Sequence, residues 1–270
     1  MVTVQDVREM AGEETITMLT AYDTPTAEIV DEAGIDVVLV GDSVGNAVLG
    51  YDSTLPVTVD EVASHTGAVA RGVEDALVVA DLPFLSFGYD ETVAVENAGR
   101  MLKEEGASAV KIESGEHTVG LTETLTQVGI PVMAHLGLTP QHVNELGGYS
   151  RQGTTEEAAA EMLDLALAHE AAGAFSLVLE HVPANIAAAI TEELSIPTIG
   201  IGAGPDTDGQ VLVVNDAVGL SDWSPSFSKQ FGDVRGEMER AVEGFRDAVE
   251  SGEFPADEHS HVEENLDDVY

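Results

Sequence analysis

The segment from residue 31 to residue 43, DEAGIDVVLVGDS, contains the pattern on which the fold prediction rests. A helical stretch closes on Gly34, a residue type that suits the left-handed position just after the last turn of a helix. The apolar run that follows, residues 37–41, is typical of a strand buried on both faces of a parallel sheet. The segment therefore predicts a helix end, a tight turn and a buried strand that leads into Asp42 and Ser43.

The same pattern recurs at Gly106, Gly129 and Gly173, each of which separates a helical stretch from a short apolar run. The predicted strands cover residues 16–21, 37–41, 77–80, 109–112, 131–134, 176–179, 197–201 and 211–214. Amphipathic helices are predicted between most of them. Eight alternations within about 250 residues predict an α/β fold of the (β/α)8 TIM-barrel type. A doubly wound open sheet is the alternative that periodicity leaves open, and the short link between the last two strands weakens the count there.

Two of the predicted helices cover residues 90–105 and 156–172, and a capping box of Thr154 and Glu157 opens the second. A closing helix is predicted over residues 225–252. No linker divides the chain, so we predict one barrel domain over residues 1–255, followed by an acidic C-terminal tail over residues 256–270.

The composition excludes several classes of function. The chain has 270 residues, with 10 Lys and Arg against 50 Asp and Glu, a formal net charge of −40. Such a chain repels phosphate backbones and anionic lipids, so neither nucleic acid nor a membrane is expected as a partner. The absence of cysteine rules out disulfides, thiolate metal sites and cysteine nucleophiles. No apolar run is long enough to span a membrane and no signal peptide is recognisable, so we expect a cytoplasmic protein.

The large negative charge predicts a halophilic source, because a body at −40 repels itself strongly unless ions screen it. We expect the melting temperature to rise between dilute buffer and multimolar KCl, since the screening length shrinks from about 10 Å at 0.1 M to about 3 Å at 1 M. Thermal unfolding followed by circular dichroism checks this. A melting temperature that did not rise with salt would contradict the prediction.

Chemically useful side chains stand at or just beyond the carboxyl ends of the predicted strands, where the active site of a parallel barrel lies. They are Asp42, Ser43, Asp81, Lys111, Glu113, His135 and Glu180. An acid at any one position is weak evidence in a chain with 50 of them. These acids differ from the others because each follows an apolar strand.

Asp42 and Asp81 follow two consecutive strands and suit a hard, oxygen-binding cation such as Mg²⁺. Alternation along the first of these strands places Asp42 on the face of Val38 and Val40.

Lys111 is one of only three lysines, and alternation points it into the barrel together with Glu113. Two readings of Lys111 stay open, a buried ion pair of structural value and a cation that binds a substrate carboxylate or enolate oxygen. His135 is as consistent with a core residue as with a functional one. Glu180, half-buried at the end of SLVLE, suits a general base.

Seven strings follow one another along the chain: LVGDSVGNAVLGYDSTLPVT, ADLPF, AVKIESG, AHLGLTPQ, GGYSRQG, LVLEHVP and IPTIGIGAGPDTDGQVLV. With these strings in this order, the chain closely resembles the ketopantoate hydroxymethyltransferases from residue 20 to residue 260. The resemblance implies a (β/α)8 barrel of the phosphoenolpyruvate/pyruvate superfamily type. It also implies transfer of a hydroxymethyl group from 5,10-methylenetetrahydrofolate to the 2-oxoacid 3-methyl-2-oxobutanoate, giving 2-dehydropantoate in pantothenate and coenzyme A biosynthesis.

The resemblance assigns roles motif by motif. Asp42 and Asp81 would bind Mg²⁺ and, through it, the keto and carboxylate oxygens of the oxoacid, with Glu113 beside the metal. Ser43 and Lys111 would hold the substrate carboxylate, and His135 would line the same pocket. Glu180 would be the catalytic base. The resemblance further implies a homo-oligomer, often a decamer.

Two departures from the family pattern are KIESGE, where KIEGGE is common, and His181, where a cysteine is common; neither removes a proposed catalytic group. One competing reading is a Mg²⁺-dependent lyase of the same superfamily, although such lyases typically use a cysteine motif that this chain lacks. Another is a non-catalytic acidic barrel that binds cations or partners. That reading would leave Lys111 unexplained.

Overall fold

The computed structural model describes residues 1–263, except for the side chain of Leu146, so residues 264–270 of the predicted tail lie outside the described residues. The chain forms two compact units. Within the described residues, one comprises residues 1–214 and 225–228, and the other comprises residues 215–224 and 229–263. The predicted domain boundary at residue 255 stays a prediction.

The first unit contains a closed barrel of eight parallel strands, arranged in chain order. The strands are β1 (Ile16–Thr20), β2 (Val37–Val40), β3 (Leu77–Asp81), β4 (Ala109–Glu113), β5 (Val132–Gly137), β6 (Ser176–Glu180), β7 (Thr198–Ile201) and β8 (Gly209–Leu212). The barrel closes where β1 pairs with β8, with Ile16 opposite Gly209. The predicted (β/α)8 fold is thereby confirmed, and the open-sheet alternative is wrong.

Helices separate the strands up to β7. The α-helices are α1 (Val4–Glu9), α2 (Thr24–Glu32), α3 (Val44–Ala47), α4 (Val59–Ala70), α5 (Glu91–Lys103), α6 (Val119–Gln127), α7 (Val143–Leu146), α8 (Glu156–Ala171), α9 (Ala184–Glu193), α10 (Val214–Ala217) and α11 (Val234–Ser251). Residues 202–208 join β7 to β8 without a helix, and the two strands still pair in parallel.

One predicted helix cap and one predicted helix start differ from the structure. The side chain of Thr155, not that of Thr154, accepts the hydrogen bond from the main-chain N of Ala158 at the start of α8. The predicted closing helix begins at Val234 rather than residue 225, because Asp233 caps α11 by accepting from the main-chain N of Gly236. In both cases the backbone just before the helix selects which polar side chain reaches the free N–H groups of the first turn.

The glycines that were predicted to end helices do so in the left-handed conformation, with φ between +78° at Gly34 and +98° at Gly173. Apolar side chains from the strands, among them Leu39, Val79 and Met133, fill the barrel interior as one cluster. A second cluster packs the outer faces of β5 and β6 against α8 and α9. Burial of these two layers stabilises the closed barrel and fixes the positions at which its strands end.

Among residues 1–263, no helix is both long and apolar enough to cross a membrane.

Candidate active site

The carboxyl ends of β2 to β6 bring the predicted polar residues together. In the strand register Asp81 lies opposite Lys111, and Glu113 lies opposite His135. Side chains buried at this end of the barrel include Asp42, Asp81, Lys111, Glu113 and His135. The alternation argument is thus confirmed for Lys111 and Glu113, which both reach this buried cluster.

Lys111 and Asp81 form a buried ion pair. The ammonium nitrogen of Lys111 donates to both carboxylate oxygens of Asp81, at 2.8 and 2.7 Å. Asp81 also accepts from the main-chain N of Asp42 at 3.3 Å, which ties the ends of β2 and β3 together. Breaking a buried pair of this kind leaves an uncompensated charge, so Lys111 and Asp81 depend on each other.

The cluster carries more negative charge than one lysine balances, since three carboxylates (Asp42, Asp81, Glu113) surround a single ammonium group. Burial raises the pKa of Asp81 to about 7, although the Lys111 charge acts in the opposite direction. Burial and the nearby Asp42 carboxylate raise the pKa of Glu113 well above its usual range. Burial alone would lower the pKa of Lys111, but the surrounding carboxylates raise it above its ordinary value. A divalent cation at this position would remove the surplus negative charge.

His135 lies between the charged cluster and Glu180. Its Nδ1 is 3.5 Å from the Lys111 ammonium nitrogen. Its Nε2 is 3.2 Å from Glu180 Oε2, but the geometry of this second contact is not that of a good hydrogen bond. Burial, followed by the charge of Lys111, lowers the pKa of His135, which favours the neutral ring. Because an ammonium group only donates, Nδ1 must accept, and the ring proton is on Nε2, on the Glu180 side.

Asp42 reaches the cluster by a turn rather than by alternation. Val37 and Leu39 of β2 belong to the interior cluster of the barrel, so strict alternation would place Asp42 on the opposite face, with Val38 and Val40. The strand ends at Val40 instead, and the turn that follows brings Asp42 to Asp81. The alternation argument is therefore wrong for this residue, because its period does not extend past the end of the strand.

Ser43 stands at the edge of the cluster and is half-buried. Its Oγ is 2.8 Å from the hydroxyl group of Tyr22, a nearly fully buried residue just after β1. The sequence reasoning missed Tyr22. Tyr22 fixes the direction of the Ser43 hydroxyl.

Gln141 is the second residue that the sequence reasoning missed. It lies in the short 3₁₀ turn Pro140–His142, and its side-chain amide nitrogen donates to Asp42 at 2.9 Å. Its main-chain N donates to both carboxylate oxygens of Glu113, at 3.1 Å each. The signal was the AHLGLTPQ string, in which this glutamine ends the motif.

The residues fit a magnesium ion. Within the described part of the chain, no group of three His, Asp or Glu residues is arranged to hold a metal by itself. Mg²⁺, however, commonly takes only one or two protein carboxylates and completes its shell with water and substrate oxygens. Asp42 and Asp81 supply two such carboxylates on neighbouring strand ends. The role of Glu113 as a third ligand stays a prediction.

Glu180 ends β6 and keeps part of its side chain accessible, with 17% exposed, whereas Glu113 and Asp81 are almost fully buried. Its main chain is held by the neighbouring strand, because the main-chain N of Leu138 donates to the Glu180 carbonyl oxygen at 2.8 Å. Gly137 permits this close approach. It has φ of +100°, and a Cβ there would lie 2.2 Å from the same carbonyl oxygen.

We expect Gly137→Ala to reduce stability and, if Glu180 is the base that the family resemblance implies, proton abstraction as well, because the added methyl group must displace the main chain of Glu180. A left-handed non-glycine residue alone costs about 1–3 kcal/mol. The control is Gly129→Ala, where φ is +89° but no atom lies within 4 Å of the added Cβ. Both variants should have a lower melting temperature than the wild type, and only Gly137→Ala should lose proton-abstraction activity. Equal activity in the two variants would contradict the account.

The glycine-rich IGIGAG stretch, residues 199–204, comes close to a neighbouring helix. A Cβ on Gly204, at φ of +86°, would lie 2.4 Å from the side chain of Ala184 at the start of α9.

Two solved structures share the fold of the barrel. Phosphonopyruvate hydrolase in complex with oxalate and Mg²⁺ is 14% identical, with a TM-score of 0.62, over 96% of this chain and 93% of that chain. The second, 2,3-dimethylmalate lyase, is a member of the PEP mutase/isocitrate lyase superfamily. It is 16% identical, with a TM-score of 0.57, over 93% of this chain and 88% of that chain.

Sequence comparisons give the family. The ketopantoate hydroxymethyltransferase family model matches residues 1–257. The 3-methyl-2-oxobutanoate hydroxymethyltransferase of Halobacterium salinarum is 71% identical over 100% of both chains. That of Natronomonas pharaonis is 70% identical over 98% of this chain and 99% of its own. The chain therefore belongs to the ketopantoate hydroxymethyltransferase family and is an enzyme that transfers a hydroxymethyl group.

Proposed function

We propose that this enzyme uses Mg²⁺ to transfer a hydroxymethyl group from 5,10-methylenetetrahydrofolate to 3-methyl-2-oxobutanoate, giving 2-dehydropantoate. The observation that carries the proposal is the division of the acidic side chains at the barrel mouth. Three carboxylates gather around Lys111, while the fourth, Glu180, stands apart on the far side of the His135 ring. One group suits binding of a cation and an anionic oxoacid, and the other suits proton abstraction.

The oxoacid brings a carboxylate that needs a positive partner and a hydrogen-bond donor. Lys111 supplies a buried ammonium group in this cluster, and the Ser43 hydroxyl, oriented by Tyr22, lies at its edge. An ammonium group in a site with little water binds a carboxylate far more strongly than it does in bulk solvent. This supports Lys111 and Ser43 as the residues that hold the substrate.

Asp42 and Asp81 would hold Mg²⁺, with Glu113 beside it. Phosphonopyruvate hydrolase, which shares this fold, has been solved in complex with oxalate and Mg²⁺, and this supports the choice of metal. When bound, the ion supplies Lewis-acid polarisation of the keto oxygen, which makes the C3 proton of the oxoacid more acidic.

Glu180 would take the C3 proton on a carboxylate oxygen. Its partial exposure leaves room for the substrate, and Nε2 of His135, whose lowered pKa favours the neutral ring, lies 3.2 Å from the same carboxylate. Removal of the proton leaves a nucleophilic C3, which forms the new carbon–carbon bond to the one-carbon unit of the folate. Both carbon–nitrogen bonds of the methylene group break, one water supplies the hydroxyl oxygen, the two nitrogens take up the C3 proton and the other water proton, and tetrahydrofolate leaves. Holding both substrates together supplies much of the remaining rate.

Product analysis tests the proposal. The enzyme in multimolar KCl with Mg²⁺, the oxoacid and 5,10-methylenetetrahydrofolate should produce 2-dehydropantoate and tetrahydrofolate in equal amounts, as followed by NMR. Cleavage of an oxoacid carbon–carbon bond without 2-dehydropantoate would instead favour the lyase reading. Mg²⁺ binding without any turnover would favour the non-catalytic reading.

We also propose a homo-oligomer in the cytoplasm of a halophilic organism. Both relatives described above come from halophilic archaea. Helix α11 exposes Met238, Val242 and Phe245, each more than half accessible, and apolar residues repeated at this spacing support burial against another chain. The number of subunits stays a prediction.

A further inference from the structure

Gln141 makes contacts that a merely space-filling residue would not make. It is 4% exposed, and its side-chain nitrogen donates to Asp42 Oδ2 at 2.9 Å and to the main-chain oxygen of Leu82 at 3.0 Å. Its main-chain N donates to both oxygens of Glu113. One uncharged residue therefore connects two of the three clustered carboxylates with the loop that follows β3.

The orientation of the Gln141 amide follows from its neighbours. A carboxylate oxygen and a main-chain oxygen only accept hydrogen bonds, so the amide nitrogen must face them and both of its protons are used. Because the side chain is buried, neither Asp42 nor Leu82 would regain a water partner easily if the amide were removed.

Asp42 needs such support more than its neighbour Asp81 does. Asp81 lies within β3 and is held by the Lys111 ammonium group, whereas Asp42 lies in a turn beyond β2. A cationic partner for Asp42 would compete with a metal ion. A neutral donor holds one carboxylate oxygen in place without adding a positive charge.

We propose that Gln141 is a positioning residue that holds Asp42 and Glu113 in the arrangement that binds Mg²⁺. This rests on the proposed function, because it concerns the same cation site. Gln141 touches neither substrate nor metal in this account; it acts through the two carboxylates. Residues that orient metal ligands in this way typically change metal affinity about 10- to 100-fold when replaced.

The test compares Gln141→Met with the wild-type enzyme and with Gln127→Met, in multimolar KCl. Methionine keeps the volume and the main-chain N–H but removes both side-chain donors. Gln127 is the matched control, because its amide nitrogen also donates to a carboxylate, that of Glu123 at 2.9 Å, on the exposed face of α6. Each protein is titrated with MgCl₂ alone by calorimetry, and its melting temperature is measured with EDTA.

We expect Gln141→Met to bind Mg²⁺ at least tenfold more weakly than the wild type and Gln127→Met to match the wild type. Unchanged Mg²⁺ affinity in Gln141→Met, even with a lower melting temperature, would overturn the proposal, since the residue would then be structural only. If Gln141→Met does not fold, Gln141→Asn serves instead, because its amide is one methylene too short to span both acceptors.

The same titration separates this proposal from the proposed function. Mg²⁺ binding by the wild type without hydroxymethyl transfer would reject the reaction, yet the affinities of the variants would still decide the role of Gln141. A wild-type enzyme that binds no Mg²⁺ would reject both.

Discussion

Glu180→Gln is expected to slow exchange of the C3 proton of 3-methyl-2-oxobutanoate by about 10²- to 10⁴-fold, the usual contribution of a general base. The amide keeps the shape of the side chain but cannot take up a proton. The three carboxylates around Lys111 stay in place, so affinity for Mg²⁺ and for the oxoacid should stay close to the wild-type value. Exchange is measured by proton NMR in D₂O, and binding is measured by calorimetry.

The matched control is Glu192→Gln, which makes the same change at an exposed position on α9. It should exchange at the wild-type rate. Wild-type exchange by Glu180→Gln would end the assignment of Glu180 as the base, and His135, 3.2 Å away, would then be the next residue to test.

Lys111→Met is expected to cost both stability and substrate affinity. Without the ammonium group, Asp81 loses two hydrogen bonds in a fully buried position and must stay charged without its cationic partner or take up a proton. Removing one partner of a buried pair typically costs about 3–5 kcal/mol. For a chain of this size that corresponds to a fall of roughly 10 °C in melting temperature.

The loss of substrate affinity follows from the same ammonium group. A hydrogen bond to a charged group contributes about 1.5–3 kcal/mol, so the KM for the oxoacid should rise about 10- to 100-fold. Lys103→Met is the control, because Lys103 is exposed at the end of α5. If Lys111→Met melted lower but kept its KM, Lys111 would be a structural ion pair, the alternative that the sequence left open.

Much of the site could be predicted, because the apolar runs in the sequence show where each strand ends. Lys111, Glu113, His135 and Glu180 all lie within the observed strands, where the period of two determines the direction of a side chain. A lysine inside an apolar strand of a lysine-poor chain was also informative without any structure. The sequence does not show that Asp81 is the partner of Lys111, because this pairing depends on the register of β3 against β4.

The parts that sequence reasoning missed lie outside regular elements. Gln141 lies in a 3₁₀ turn 28 residues after Glu113, and no periodicity relates the two positions. The turn beyond β2 brings Asp42 to the cluster. Its location was therefore predicted correctly, although the face of the strand to which alternation assigned it was wrong. Thr154 and Thr155 both offer a capping hydroxyl, and only the backbone conformation decides between them.

The most direct test of the central claim is proton NMR of 3-methyl-2-oxobutanoate in D₂O with the enzyme in multimolar KCl, without folate, first in EDTA and then with excess Mg²⁺. The account predicts that the C3 proton signal persists in EDTA and disappears once Mg²⁺ is added, because the carboxylate cluster, the cation and Glu180 together suffice for proton abstraction. A C3 signal that persists with Mg²⁺, in an enzyme that still makes 2-dehydropantoate once 5,10-methylenetetrahydrofolate is supplied, would contradict it.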